Sequence, residues 1–317
     1  MLSIFLFFLG FLPLLLGARL LVDGASSLAD RYGVPQIVIG LTIVAFGTSA
    51  PELVVNVAAA LNGETALVLG NVLGSNIFNI LGILGVSALI MPLVIRANTT
   101  WIEIPLVFLA GGVLWLFSQD ALLEGRSYSE VSRIDGAVLL AFFIIFLVYN
   151  IRLSHSETSK EELSIHRRNN GVNILFILAG LTGLAIGGRL IVHSAVQVAE
   201  TLGVSERIIG LTIVSIGTSL PELATSVVAA LRKNTDIAVG NIVGSNIFNI
   251  FLILGLSALL QPVPLLSGSG IDLLVNLGSS FLLFIFVFTG PGRKLHRWEG
   301  LLFVLLYGGY MVFLLFN

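Results

Sequence analysis

The sequence predicts an all-α integral membrane protein with ten transmembrane helices arranged as two inverted five-helix repeats. Of its 317 residues, 56% are hydrophobic and only 11% are charged, whereas soluble domains carry about 25% charged residues. The apolar residues fall in ten runs of membrane-spanning length. A long internal repeat divides these runs into two sets of five.

The runs are predicted to be helices because they are about 20 residues or longer and lack the alternation of barrel strands. The first set is predicted at residues 2–29, 36–61, 66–90, 99–117 and 134–151. The second set is predicted at residues 172–200, 206–231, 236–260, 270–289 and 298–316. Met1–Ala18 lacks the positive start of a signal peptide and has a copy around Leu184–Leu190, so we interpret it as the first span.

The repeat appears when residue n is placed against residue n+170. Gly33–Pro92 then aligns with Gly203–Pro262 without a gap, and about 35 of the 60 pairs are identical. Because five crossings precede the second copy, that copy must enter the membrane upside down. We therefore expect a first five-helix repeat at 1–151, a short polar linker at 152–171, and a second, inverted five-helix repeat at 172–317.

The distribution of Lys and Arg predicts the orientation of the chain. One predicted side carries Arg31, Arg96, Arg152, Lys160, Arg167, Arg168, Arg232, Lys233, Arg293, Lys294 and Arg297. The other side carries Arg126, Arg133 and Arg207. Because positive residues collect on the cytoplasmic side, we expect a multi-pass cell-membrane protein with a cytoplasmic linker and both termini outside.

Composition excludes several other classes of protein. A net charge of −2 without a basic tract argues against nucleic acid binding, and the lack of cysteine excludes disulfides and thiolate metal sites. The linker is too short to hold a regulatory domain. No pattern indicates a cofactor or a protein partner, so the lipid bilayer is the expected surrounding. No nucleophile–base or H-E-x-x-H motif is present, and an enzyme is not indicated.

The most informative motif lies in spans two and seven, which contain Gly47-Thr48-Ser49-Ala50-Pro51-Glu52 and Gly217-Thr218-Ser219-Leu220-Pro221-Glu222. Proline removes the N–H that would bond to the carbonyl four residues earlier, so each helix should bend or break there. Thr, Ser and Glu then place their oxygens on one helical face. A simple proline kink would explain the proline and threonine but not a glutamate.

The two glutamates need a positive partner. A carboxylate at mid-membrane costs about 2.5–3.5 kcal/mol on the insertion scale, and no Lys or Arg lies in the core of spans two, three, seven or eight. A bound cation is the simplest partner for both.

Spans three and eight carry a second paired motif, Gly70-Asn71-Val72-Leu73-Gly74-Ser75-Asn76-Ile77-Phe78-Asn79 and Gly240-Asn241-Ile242-Val243-Gly244-Ser245-Asn246-Ile247-Phe248-Asn249. The Ser and Asn four residues apart stack their oxygens on one face, as ligands or as partners in interhelical hydrogen bonds. Asn71 and Asn241 suit either ligand support or packing. All of these donors are oxygens, which favour hard cations such as Ca²⁺ and Na⁺.

The paired G-T-S-x-P-E and G-N-x-x-G-S-N motifs resemble the alpha repeats of the cation/calcium exchanger superfamily, and the architecture resembles its prokaryotic sodium/calcium exchangers. The resemblance implies electrogenic antiport of Na⁺ against Ca²⁺ by alternating access. It also implies twelve metal ligands, with Ala45 and Ser215 acting through their carbonyls. These ligands are Ala45, Thr48, Ser49, Glu52, Ser75, Asn79, Ser215, Thr218, Ser219, Glu222, Ser245 and Asn249.

Two departures and several alternatives accompany this resemblance. Several members of the superfamily have Asp where this chain has Asn249, and some have Ala where it has Ser215. A proton-coupled exchanger would show acid and histidine where this chain has Gly74-Ser75, while potassium co-transport stays open. A passive cation channel is the alternative from another class, and saturable flux that depends on a counter-ion would distinguish an exchanger from it.

Overall fold

The computed structural model describes residues 2–119, 129–156, 169–201, 215–265 and 269–316. Nearly all of this part of the chain is helical, because a segment within lipid must satisfy its backbone hydrogen bonds internally. The predicted 152–171 linker lies mostly outside the described residues, as does the first part of span seven.

The first repeat contains six helices. Helix α1 is Leu2–Tyr32, α2 is Gln36–Thr48, α3 is Ala50–Leu61, α4 runs through Thr65–Ile77, Phe78–Leu84 and Gly85–Ile90, α5 is Thr99–Phe117, and α6 is Arg133–Ser156. Together α2 and α3 form the predicted second span. The stretch Phe78–Leu84 in α4 is π-helical, as is Gly40–Val44 in α2.

The second repeat follows the same order. Helix α7 is Asn170–Thr201, α8 is Ser215–Thr218, α9 is Leu220–Leu231, α10 runs through Thr235–Ile247, Phe248–Leu254 and Gly255–Leu260, α11 is Ser269–Phe286, and α12 is Arg297–Phe316. The π-helical stretch of α10, Phe248–Leu254, lies 170 residues after that of α4. Within the described residues, eight helices are long and apolar enough to cross a membrane, and α2 with α3 forms a ninth, bent span. The all-α membrane fold is therefore confirmed, while the remaining predicted span, 206–231, is described only from Ser215 onward.

Helices α1 and α7, which are equivalent in the two repeats, run antiparallel, as inverted repeats require. At one end of the α1–α7 pair, Ser3 donates a hydrogen bond to Gln197 at 2.9 Å. At the other end, Asn170 donates to Tyr32 at 2.6 Å. The beginning of α1 therefore lies beside the end of α7, and the beginning of α7 lies beside the end of α1.

Short antiparallel strand pairs also join the repeats. Strand β1, Leu93–Val94, pairs with β4, Lys294–Leu295. Strand β2, Glu130–Val131, pairs with β3, Val263–Pro264. Each pair joins the end of a central helix in one repeat to a connection in the other.

Helices α4 and α10 form the centre of the molecule. Within their apolar spans, 78% of the residues of α4 and 83% of those of α10 are buried, compared with 17% in α12. The helices α1, α5, α6, α7, α11 and α12 surround this centre and expose many large apolar side chains, as lipid-facing helices do. The polar motifs of α4 and α10 are therefore enclosed by protein.

Candidate cation site

The predicted break in spans two and seven is present in both repeats. Helices α2 and α3 meet at an angle of 48°, and Pro51 lies in the first turn of α3. Ser49, between them, has φ −83° and ψ 4°. Its counterpart Ser219, between α8 and α9, has φ −89° and ψ 8°. The break turns each serine and the following glutamate toward the repeat interface.

The two glutamates lie at that interface and are bound by serines of the opposite repeat. The hydroxyl of Ser49 lies 2.9 Å from Oε1 of Glu222 and also 2.9 Å from Oγ of Ser245. The hydroxyl of Ser219 donates to Oε1 of Glu52 at 3.1 Å. Both carboxylates are buried. Each repeat therefore orients the carboxylate of the other.

The second oxygen of each carboxylate has no hydrogen-bond partner in the described part of the chain. Oε2 of Glu52 and Oε2 of Glu222 are both buried in this way. A buried carboxylate oxygen without a partner is costly, so two of them at one interface indicate a place for a cation.

The amides of Asn79 and Asn249 complete this set of oxygens. Their Oδ1 atoms are buried and have no partner among the described residues, and the same holds for the hydroxyl of Ser75. The Nδ2 groups of both asparagines donate to Asn246 and Asn76 respectively. The amide oxygens are therefore available as neutral ligands.

The remaining predicted ligands differ in their hydrogen-bond partners. Thr48 donates to Oδ1 of Asn241 at 3.0 Å, and the hydroxyl of Thr218 lies 3.5 Å from Oδ1 of Asn71. The carbonyl of Ala45 accepts the N–H of Ser49 at 2.9 Å and also lies 3.3 Å from the hydroxyl of Thr48, so an ion there would take the place of the hydroxyl. Ser215 is the first described residue of α8.

Asn241, for which the sequence left both ligand support and packing open, bonds to the backbone of the residue predicted to bind the cation. Its Nδ2 donates to the carbonyl of Glu222 at 3.3 Å and to Ser226 at 2.9 Å. In the other repeat Asn56 donates to the carbonyl of Glu52 at 2.7 Å. Hydrogen bonds to these carbonyls hold the turn that carries each glutamate.

The donor set suits a hard cation. No group of three or more His, Cys, Asp or Glu side chains able to hold a metal occurs in the described part of the chain. The site instead combines two carboxylates with amide and hydroxyl oxygens, which Ca²⁺ and Na⁺ accept and which softer metals bind poorly.

Comparison with known proteins decides the family. The family model described as sodium/calcium exchanger protein matches residues 2–152 and 172–316. The chain belongs to this family. It is 31% identical to the sodium/calcium exchanger MaX1 of Methanosarcina acetivorans, over 96% of this chain and 98% of that protein. It is 38% identical to the inner membrane protein YrbG of Escherichia coli, over 81% of this chain and 79% of that protein.

Solved structures of the same family have the same fold. The sodium-calcium exchanger NCX_Mj soaked with 2.5 mM Na⁺ and 1 mM Sr²⁺ matches with a TM-score of 0.85 and 32% identity, over 98% of each chain. The multi-pass membrane architecture is therefore that of an exchanger.

The sequence did not indicate the contacts of two further residues at the candidate site. Asn76 and Asn246 belong to the Gly-Ser-Asn motif without being among the predicted ligands, yet each accepts a hydrogen bond from a predicted ligand asparagine of the opposite repeat. Their burial could be expected from the motif, but their partners lie more than 160 residues away in the chain. Only the inverted packing of α4 against α10 brings them together.

Proposed function

We propose that this chain exchanges Na⁺ for Ca²⁺ across the cell membrane by alternating access to one site. The observation that carries the proposal is the convergence of partnerless buried oxygens from both repeats. These oxygens are Oε2 of Glu52 and Glu222 and Oδ1 of Asn79 and Asn249.

The charge of the site explains why the two ions compete. Two carboxylates balance one Ca²⁺ or two Na⁺, and the neutral amides and hydroxyls add ligands without adding charge. Because either ion satisfies the same carboxylates, Ca²⁺ and Na⁺ occupy the site in turn. Glu52 and Glu222 serve as the Ca²⁺ anchors, and the other ten sequence-predicted ligands complete the coordination of one ion or the other.

Access to the site differs between its two sides. A cavity of about 910 Å³ lies between α7 and the broken spans, and Pro51, Arg189, Thr218 and Pro221 are among its lining residues. The cavity extends to Thr218, one of the proposed ligands. Around the opposite end of the interface, α1 packs against α9, where Asp23 and Arg232 form an ion pair. A smaller cavity of about 340 Å³, which Arg19 and Arg232 help to line, lies beside this pair. The two sides therefore differ in the size of their openings, and a difference in access between the sides is what alternating access requires.

The orientation of the chain is part of the proposal. The Lys/Arg distribution supports external termini, a cytoplasmic linker at 152–171, and repeats at 1–151 and 172–317. With this topology the larger cavity faces outward and the smaller one faces the cytoplasm, where we propose that the Asp23–Arg232 pair restricts access. Exchange of three Na⁺ for one Ca²⁺ moves one net charge, worth about 2.3 kcal/mol per 100 mV, and we propose that transport is electrogenic.

The test is Ca²⁺ uptake into proteoliposomes preloaded with Na⁺, comparing the wild type with Glu52→Gln. We expect uptake that needs the outward Na⁺ gradient, increases with an inside-positive potential, and is lost in Glu52→Gln because the anchoring charge is gone. Glu64→Gln makes the same chemical change at an exposed glutamate and should transport normally.

Three outcomes would contradict the proposal. Uptake driven by a pH gradient without Na⁺ would indicate proton coupling. Uptake that neither saturates nor needs a counter-ion would indicate a channel. Uptake that does not respond to voltage would overturn the electrogenic ratio.

A further inference from the structure

Four asparagines form a hydrogen-bonded cluster at the contact of α4 and α10, in which Asn76 and Asn246 close a ring and Asn79 and Asn249 each bond to it. Asn79 donates its Nδ2–H to Oδ1 of Asn246 at 2.9 Å, and Asn249 donates its Nδ2–H to Oδ1 of Asn76 at 3.0 Å. Asn76 and Asn246 in turn donate to each other's main-chain carbonyls, both at 3.3 Å. All four side chains are at most 1% exposed. Every bond of the cluster joins one repeat to the other.

The main-chain carbonyls fix the direction of every amide in this cluster. A carbonyl can only accept, so Asn76 and Asn246 must turn their Nδ2 groups toward these carbonyls. Their Oδ1 atoms then face Asn249 and Asn79, which must present N–H groups to them. If the amide of Asn79 or Asn249 were flipped, its Oδ1 would face the Oδ1 of its partner, and neither oxygen could donate a hydrogen bond. The only arrangement that satisfies the cluster leaves Oδ1 of Asn79 and Asn249 for another partner.

We propose that Asn76 and Asn246 are positioning residues that orient the amide oxygens of Asn249 and Asn79 toward the transported cation. The inference rests on the proposed function, since the ion they serve is the substrate. Each repeat thereby orients a ligand of the other, as Ser49 and Ser219 do for the glutamates. A side chain that hydrogen-bonds to a metal ligand fixes the orientation of that ligand and strengthens the binding of the metal.

The cluster also gives a reason for asparagine at position 249. An aspartate there, as in several members of the superfamily, would have no N–H for Oδ1 of Asn76. A charged carboxylate would instead face that acceptor at the 3.0 Å now spanned by the hydrogen bond. In this chain the neutral amide and its positioning partner therefore form a matched pair.

The experiment is a double-mutant cycle on Asn246→Ala and Asn79→Ala, with Na⁺-driven Ca²⁺ uptake as the measurement. We expect Asn246→Ala to raise the KM for Ca²⁺ by about 10-fold to 100-fold, the usual effect of losing such a partner, with a much smaller change in kcat. If Asn246 acts through Asn79, the double variant should have the KM of Asn79→Ala within about twofold.

The matched control is Asn276→Ala. Asn276 is also fully buried, in α11, and its side-chain amide has no hydrogen-bond partner among the described residues. It reports the effect of removing a buried asparagine outside the cluster, and should leave the KM for Ca²⁺ unchanged. If Asn246→Ala does not yield folded protein, the mirror cycle on Asn76→Ala and Asn249→Ala tests the same inference.

If the fold-increases in KM of the two single variants multiply in the double variant, the positioning role is overturned. An unchanged KM for Ca²⁺ in Asn246→Ala would do the same. An equal rise of KM in Asn276→Ala would also overturn it, because a general packing defect would then suffice. A wild type that shows no Na⁺-dependent uptake would refute the proposed function instead. The two failures are therefore distinguishable.

Discussion

At the scale of single residues, the site depends on hydroxyl groups that hold carboxylates of the opposite repeat. Ser49 contacts both Glu222 and Ser245, whereas its counterpart Ser219 bonds to Glu52. Hydrogen bonds to charged groups contribute about 1.5–3 kcal/mol. The two serines therefore set the orientation of the anchoring carboxylates before an ion arrives.

Replacement of Ser49 by alanine should weaken Ca²⁺ binding. We expect the KM for Ca²⁺ in the uptake assay to rise about 10-fold or more, because Glu222 loses a charge-assisted hydrogen bond. Ser87→Ala is the matched control, since Ser87 is fully buried and its hydroxyl has no partner in the described structure. Similar KM values for the two variants would show that Ser49 does not orient Glu222.

The candidate ligands could be predicted at this scale because their chemistry is local. A glutamate directly after a mid-membrane proline has few explanations other than a bound cation. Asn79 lies one helical turn after Ser75, so the two side chains are expected on the same face of the helix. The role proposed for Asn76 could not be predicted in the same way. It depends on the hydrogen bond from Asn249 to Oδ1 of Asn76, which is set by the packing of α4 against α10 and not by neighbours in the sequence.

At the scale of helices, glycines bring α1 and α7 into backbone contact. A Cβ atom at Gly180 would lie 2.6 Å from the backbone N of Leu21 and 2.8 Å from the carbonyl of Gly17. A Cβ at Gly187 would lie 2.7 Å from the carbonyl of Gly10. Small residues at such contacts let transmembrane helices approach closely.

Gly180→Ala should separate these helices and destabilise the protein. Because backbone atoms cannot yield as a flexible side chain can, we expect a cost of about 1–3 kcal/mol and a lower melting temperature in detergent. Gly308→Ala on α12 is the control, since a Cβ there meets nothing within 4 Å. An equal melting temperature for the two variants would contradict the close packing of α1 and α7.

Most of the helices could be predicted from the sequence, but the π-helical stretches within them could not. Apolar length located the spans, and Pro51 located the break between α2 and α3. The π-helical stretches Phe78–Leu84 and Phe248–Leu254 were not predicted. They contain neither proline nor a polar run that would mark them, and each begins two residues after the asparagine of the Gly-Ser-Asn motif.

At the scale of the whole molecule, the two repeats are similar in sequence but differ in their contacts. Asp23 of α1 forms an ion pair with Arg232 at the end of α9. The positions 170 residues away from these two are occupied by His193 and Asn62, which cannot form the same pair. His193 instead lines the 910 Å³ cavity on the opposite side of the site. The asymmetry of the contacts therefore matches the asymmetry of access.

If the Asp23–Arg232 pair holds the proposed cytoplasmic side closed, its loss should make the 910 Å³ cavity on the other side less accessible. The chain contains no cysteine, so a single Val196→Cys in the cavity wall reports access to a membrane-impermeant thiol reagent added outside. Adding Asp23→Asn should slow this labelling by up to about fivefold, because partly exposed ion pairs contribute at most about 1 kcal/mol. Glu64→Gln, which removes an exposed charge elsewhere, should leave the rate unchanged. Labelling that is equally fast with and without Asp23 would show that the pair does not hold the cytoplasmic side closed.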